Sequence, residues 1–153
     1  MTETTGFRLR EGVAPDLEAM YRLDVVCFEP PFRFSRSAMR KFAAATGAFT
    51  LVADFDAATM MGFVMVQMGG GEGYVVTLDV APASRRQGIA RLLLDGAERK
   101  ALVRGATRMT LHVSAENAAA IRFYESQGYA RTMVHTDFYG AGLAAFGYSK
   151  AIG

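Results

Sequence analysis

The chain has 153 residues, 51% of them apolar and 21% charged, with a formal net charge of +2, which suits one soluble domain around a single core. So small a charge excess, with no basic patch interleaved with aromatics, argues against a nucleic-acid partner. The longest apolar stretch, around residues 60–68, is far too short to span a bilayer, so no membrane is expected.

Cys27 is the only cysteine, so no internal disulfide forms and a reducing compartment is expected. It reads as a small apolar residue. The opening residues 1–6 carry neither a basic nor an apolar signal region, and the expected place is the cytoplasm. Phe7–Arg10 reads as a first strand. Pro15 and Asp16 open a helix that runs through Leu17, Met20, Tyr21 and Asp24 to about Phe28, where Pro30 and Pro31 end it. Ser35 caps a second helix through about Thr46, with Met39 and Phe42 facing inward, and Gly47 closes it.

Strands follow over Ala48–Asp54 and Met60–Met68, joined by a hairpin turn at Asp56–Thr59. Gly69–Gly73 reads as a loop, and Tyr74–Val80 as a strand buried on both faces. A helix from about Gly88 to Arg104 puts Ile89, Leu92, Leu93 and Ala97 on one side. Arg108–Ser114 alternates, with Met109, Leu111 and Val113 opposite Thr110, His112 and Ser114. Asn117 caps a fourth helix ending at Gly128, and Tyr129–Thr136 with Ala144–Ala151 closes the chain as a hairpin. The expectation is a single α/β domain over residues 1–153, with a mixed, mostly antiparallel twisted sheet of about seven strands and four helices.

The turn after Val80 carries the first functional signal. Arg85-Arg86-Gln87-Gly88-Ile89-Ala90-Arg91 leads straight from a strand into a helix. The first turn of a helix has N–H groups without intrahelical partners and a partial positive charge, so it can hold a phosphate. There is no Gly-Lys-Ser/Thr Walker loop and no early G-x-G-x-x-G opening a helix. What remains is R-x-x-G-x-A over Arg85, Gly88 and Ala90, which alone is also compatible with an ordinary helix start.

That segment resembles motif A of the GNAT superfamily of acyl-CoA-dependent N-acyltransferases. Downstream, Asn117, Ala120, Phe123, Tyr124, Gly128 and Tyr129 fill a pattern similar to the superfamily's motif B. The wording Asn117-Ala-Ala-Ala-Ile-Arg-Phe-Tyr-Glu-Ser126 and the closing Asp137–Lys150 stretch resemble the RimI-like protein N-terminal acetyltransferases. The resemblance covers roughly residues 5–152. It implies acetyl-CoA as co-substrate and direct acetyl transfer to an amine, with no enzyme nucleophile.

By the same resemblance, main-chain groups of Leu78, Asp79 and Val80, at a strand bulge, hold the acetyl carbonyl and pantetheine. The backbone of Arg86–Arg91, beside Arg85, holds the pyrophosphate. Asn117 touches the pantetheine, and Tyr124 protonates the CoA sulfur. Tyr74 and His112 relay the proton off the amine. Each also has a plainer reading: a packed strand-end tyrosine, a satisfied strand histidine, a core tyrosine and a simple N-cap. A histidine with a pKa near ~6.5 suits a peptide α-amine (about 7.8) better than a lysine amine (about 10.4).

The resemblance further implies that the Phe28–Phe34 loop lines the acceptor site. Phe28, Pro31 and Tyr139 would cup an apolar first side chain, and Glu29 would meet the amine. One departure stands out: Leu143-Ala144 replaces the acidic pair of the usual Gly-x-Gly-Glu-Asp-Ala phrase. A small-molecule amine is therefore kept as an alternative acceptor, and a non-catalytic acyl-CoA-binding module as a competing class. No Cys/His/carboxylate set has metal-ligand spacing, and His135 is the only other histidine. No metal is expected, and the chain is expected to be a monomer or homodimer.

Overall fold

The computed structural model describes residues 3–4, 7–55 and 59–153. The signal-peptide reading and the expected turn after Phe55 lie largely outside them. Eight strands form one sheet: β1 (Glu3–Thr4), β2 (Phe7–Glu11), β3 (Ala48–Phe55), β4 (Thr59–Gly69), β5 (Glu72–Val80), β6 (Arg108–Ser114), β7 (Ala130–His135) and β8 (Ala145–Ala151). Their order is β1-β2-β3-β4-β5-β6-β8-β7. Among the described residues only β5 and β6 run parallel. The seven expected strands are all present, and the two-residue β1 extends one edge.

Four helices cover the faces: α1 (Leu17–Cys27), α2 (Arg36–Ala44), α3 (Ile89–Val103) and α4 (Ala118–Ser126). A 3-10 turn at Ala14–Asp16 precedes α1, where Asp16 holds the Arg10 guanidinium at 2.8 and 2.9 Å. Ser35 and Asn117 cap α2 and α4 as expected, accepting from the main-chain N–H of Ala38 and Ala120. The parallel β5–β6 step needs a crossover, and α3 supplies it.

Two cores result. On one face, Ile89, Leu93, Leu94 and Ala97 of α3 and Tyr124 of α4 pack on Val64, Val66, Val75, Met109 and Leu111. On the other, Met20 of α1 and Met39 of α2 pack on Val52, Phe63 and Met65. At Gly62 a side chain is excluded, because an added Cβ would lie 2.6 Å from the Asp79 carbonyl oxygen.

Three expectations need correction. The Gly69–Gly73 loop is a tight hairpin turn: β4 continues through Gly69, β5 resumes at Glu72, and Gly70 and Gly71 take φ of +59° and +77°. Such a turn needs two left-handed residues, and two glycines supply them. Phe42 does not face inward; it is 38% exposed and lies edge-on to Phe34, while α2 packs on the sheet through the buried Met39 and the half-buried Ala43. β5 is not buried on both faces. Buried and half-buried residues alternate along it, and the half-buried Tyr74, Val76 and Leu78 border a cavity.

Candidate active site

The cavity arises where the sheet splits. β5 and β6 pair only from Glu72↔Arg108 to Val75↔Leu111. Beyond Val75 the two strands part. The β5–β4 register places Met65 opposite Thr77 and Val66 opposite Val75, so Val76 is an extra, bulged residue. The expected bulge at Leu78–Val80 thus lies further upstream, where β5 leaves β6. Its effect is to reverse the faces. Val75 packs on the α3 side, yet beyond the bulge it is Leu78 and Val80 that do so. Thr77 and Asp79 turn towards α1.

The gap opens into a cavity of about 640 Å³. Its walls include Tyr74 and Leu78 from β5, His112 from β6, Asn117 and Tyr124 from α4, Phe28, Glu29 and Pro31 from the α1–α2 loop, and Tyr139 from the β7–β8 loop. All three residues expected to handle protons, and all four expected to meet the acceptor, therefore share one space. The two loops touch across its mouth, with Phe32 edge-on to Tyr139 at 4.9 Å.

Tyr74 Oη lies 2.8 Å from Nδ1 of His112. Burial, and then the neighbouring His135, hold the His112 pKa below its ordinary 6.5. The imidazole is therefore neutral at physiological pH and free to take a proton. Burial, with Tyr139 nearby, pushes the Tyr74 phenol up to about 12. Burial raises Tyr124 further, aided by the negative charge of Asp79 and by Tyr139, so Tyr124 keeps its proton and can donate it.

Sequence reasoning missed the packing around His112. Phe138 stacks on it at 4.4 Å with rings 20° apart, and His135 meets it edge-on at 4.7 Å. Only the position of Phe138 next to Tyr139 hinted at this. Phe32, Phe34 and Phe42 also border the cavity.

The phosphate turn lies apart from the cavity walls. Gly88, at φ +78°, precedes α3, and no side chain caps that end. A Cβ built at Gly88 meets nothing within 4 Å, so the space over the first turn is open to a bulky anion. Arg86 and Arg91 are exposed there. Gln87 reaches back to the Ala83 carbonyl at 3.4 Å. Ile89 offers only its main chain, because its side chain is buried in the core. Arg85 Nε donates to the Val80 carbonyl at 3.3 Å, and Nη2 lies 3.8 Å from Cys27 Sγ.

Cys27 borders the cavity, and its Sγ lies 3.4 Å from the Val80 carbonyl oxygen. Burial and the nearby Asp79 raise its pKa, which suits an inert thiol. Asn117 uses its carbonyl to cap α4 at 3.1 Å, leaving its amide N–H groups for a ligand. The unpaired edge of β5 past the bulge, the uncapped α3 terminus and the open Gly88 fit an extended acyl-CoA. Among the described residues there is no group of three or more potential metal ligands, and no helix is long and apolar enough to cross a membrane.

Residues 17–129 match the model of the Acetyltransferase (GNAT) family. The chain is 38% identical over 84 residues to the N-terminal acetyltransferase B complex catalytic subunit naa20 of Schizosaccharomyces pombe, covering 50% of this chain and 45% of that protein. It is 34% identical over 80 residues to the [Ribosomal protein bS18]-alanine N-acetyltransferase of Escherichia coli K12, covering 52% and 54%. It thus spans about half the length of the curated relatives it matches. The crystal structure of the ribosomal-protein-S18-alanine N-acetyltransferase from Escherichia coli superposes with a TM-score of 0.85 at 23% identity, over 95% of this chain and 94% of that one. Nourseothricin acetyltransferase superposes at 0.80 with 28% identity, over 97% and 100%. The chain belongs to the GNAT acetyltransferase family.

Proposed function

We propose that this GNAT-family chain transfers the acetyl group of acetyl-CoA directly to a primary amine, and that the amine is the α-amine of a peptide or protein. The observation that carries the reading is the Tyr74–His112 hydrogen bond, set in the same cavity as Tyr124. Acetyl transfer requires a neutral amine, a stabilised oxyanion and a protonated leaving thiolate. Tyr74 donates its hydroxyl proton to Nδ1 of neutral His112 while its oxygen takes one from the amine. Main-chain N–H groups of β5 past the bulge face the acetyl carbonyl, and Tyr124 supplies the proton to sulfur. The α3 terminus and Arg86 hold the pyrophosphate. No metal takes part, and the chain works in the cytoplasm.

Phe28, Pro31 and Tyr139 form an apolar lip, with Glu29 as the carboxylate that meets the amine. Two relatives, one named an N-terminal acetyltransferase and the other for a ribosomal-protein alanine, support a peptide, since both share more than 30% identity with this chain over about half its length. A second reading, a small-molecule amine, is favoured by Leu143-Ala144 in place of the acidic pair and by the full-length likeness to nourseothricin acetyltransferase.

The test is to offer acetyl-CoA with a peptide library and a panel of small amines, and to follow CoA release. Turnover with peptides of small or apolar first residue is expected. Activity confined to small amines overturns the peptide reading. Acetyl-CoA binding without turnover on any amine leaves only a binding module.

A further inference from the structure

Asp24 of α1 and Asp79 of β5 are 0% and 1% exposed, the most deeply buried carboxyl groups among the described residues. Helix α1 packs against β5, which brings the two carboxyl groups together. Each has one oxygen satisfied. Asp24 Oδ2 accepts the Phe34 main-chain N–H at 2.7 Å, and Asp79 Oδ1 accepts the Thr77 hydroxyl at 2.6 Å. Each has one oxygen left over, Asp24 Oδ1 and Asp79 Oδ2, and both orphans are sealed from solvent.

Two adjacent ionised carboxylates in such a place repel each other with little to offset the clash. The charged or titratable groups nearby are few: Cys27 from α1, Arg85 from the turn after β5, and Tyr124 from α4. Arg85 alone is cationic, and its guanidinium contacts Val80 and Cys27. One proton placed between the two orphan oxygens satisfies both and removes the like-charge clash.

We infer that Asp24 and Asp79 share one proton, and that this carboxyl–carboxylate bond positions the acceptor loop 28–35 against the strand that faces the thioester. Asp24 is the hub. One of its oxygens holds Phe34 in the loop, and the other holds β5 beyond the bulge. Both are positioning residues. The second half of the inference, that the loop receives the acceptor, rests on the acetyl-transfer reading; the shared proton does not.

Infrared difference spectra test the proton directly. A protonated-carboxyl C=O band is expected at neutral pH in the native chain and should vanish in both D24N and D79N. Its absence from the native chain overturns the inference. Hydrogen exchange of the Phe34 amide tests the docking. D79N supplies a permanent donor and should exchange like the native chain, whereas D79V should exchange about tenfold faster. Exchange as slow in D79V as in the native chain overturns the positioning role.

If D79V does not fold, alkaline titration of the native chain serves instead. Phe34 exchange must then rise more steeply with pH than that of the Phe63 amide in β4, and equal slopes count against the latch. In the acetyl-transfer assay, D79V should raise acceptor KM at least as much as it lowers kcat. A chain that shows the band and the exchange pattern but no turnover on any amine retains the latch and loses the acetyl-transfer reading.

Discussion

Tyr74 and His112 should fail as one unit. In the proposed mechanism their hydrogen bond of 2.8 Å makes them a single proton path. Removing either end by Tyr74→Phe or His112→Gln breaks it. A positioned base contributes about 10²–10⁴-fold to rate, or roughly 3–5 kcal/mol at 1.36 kcal/mol per decade. Each single variant is therefore expected to lose about 10²–10⁴-fold in kcat/KM. The double variant should lose no more than the worse single, because a broken relay cannot be broken twice.

Independent roles would instead multiply to about 10⁴–10⁸. The assay is CoA release from acetyl-CoA with a fixed peptide across pH. Both singles should regain rate about tenfold per pH unit up to the peptide amine pKa near 7.8, where the amine deprotonates unaided. Tyr74→Phe within threefold of the native rate, or losses that multiply in the double variant, refutes the relay.

The His112 imidazole must be neutral to act, so kcat/KM should fall as pH drops through a value below 6.5. His135→Gln removes the imidazole that, after burial, helps to hold the His112 pKa down, and should move that acid limb up towards 6.5; an unmoved limb denies the coupling. Gly88→Ala forces an alanine to φ +78° with open space around its Cβ, costing about 1 kcal/mol of stability. Its acetyl-CoA KM should rise beyond what a slightly lower Tm explains, and an unchanged KM places the pyrophosphate elsewhere. Gly62→Ala drives a methyl into the Asp79 carbonyl and Leu93; a loss of about 1–3 kcal/mol is expected by chemical denaturation, and no loss refutes the close approach. Asp79 binds its proton more tightly folded than unfolded. Its contribution to stability is thus complete below 3.8 and fades as pH rises through the raised folded value. D79N should lack that part of the slope in denaturation midpoints measured from acid to alkaline pH.

Periodicity was enough to find the helices and long strands, because apolar residues at spacings of 2 or about 3.6 report burial directly. It could not find β1, which is too short to have a period. It misjudged β5 for a physical reason: Tyr74, Val76 and Leu78 are apolar or aromatic because they border a cavity, and sequence does not distinguish a ligand-facing wall from a packed one. The bulge at Val76 likewise leaves no mark in residue type, although it decides which side chains face α1. His112 and Tyr74 were readable only through the family pattern. Phe138 and His135 were not, since they reach His112 through the β6–β8–β7 order, a long-range pairing. Asp24 did carry a local clue. It stands one helical turn from Met20, so a charged residue occupies the inward stripe of α1.

The short seam between β5 and β6 also has a mechanical meaning. Strands β1–β5 form one continuous ladder, and β6, β8 and β7 form another. The ladders are stitched only from Glu72↔Arg108 to Val75↔Leu111. An extended ligand lying along the free edge of β5 would act as an inserted ninth strand and lengthen that stitch. In its absence the three-stranded wing, which carries His112 and Tyr139, is the unit expected to open first under force or in native-state exchange. Substrate occupancy would then be read out as stiffness: protection gained at residues 76–80 and 112–114, with the distal β2–β3 pair unchanged.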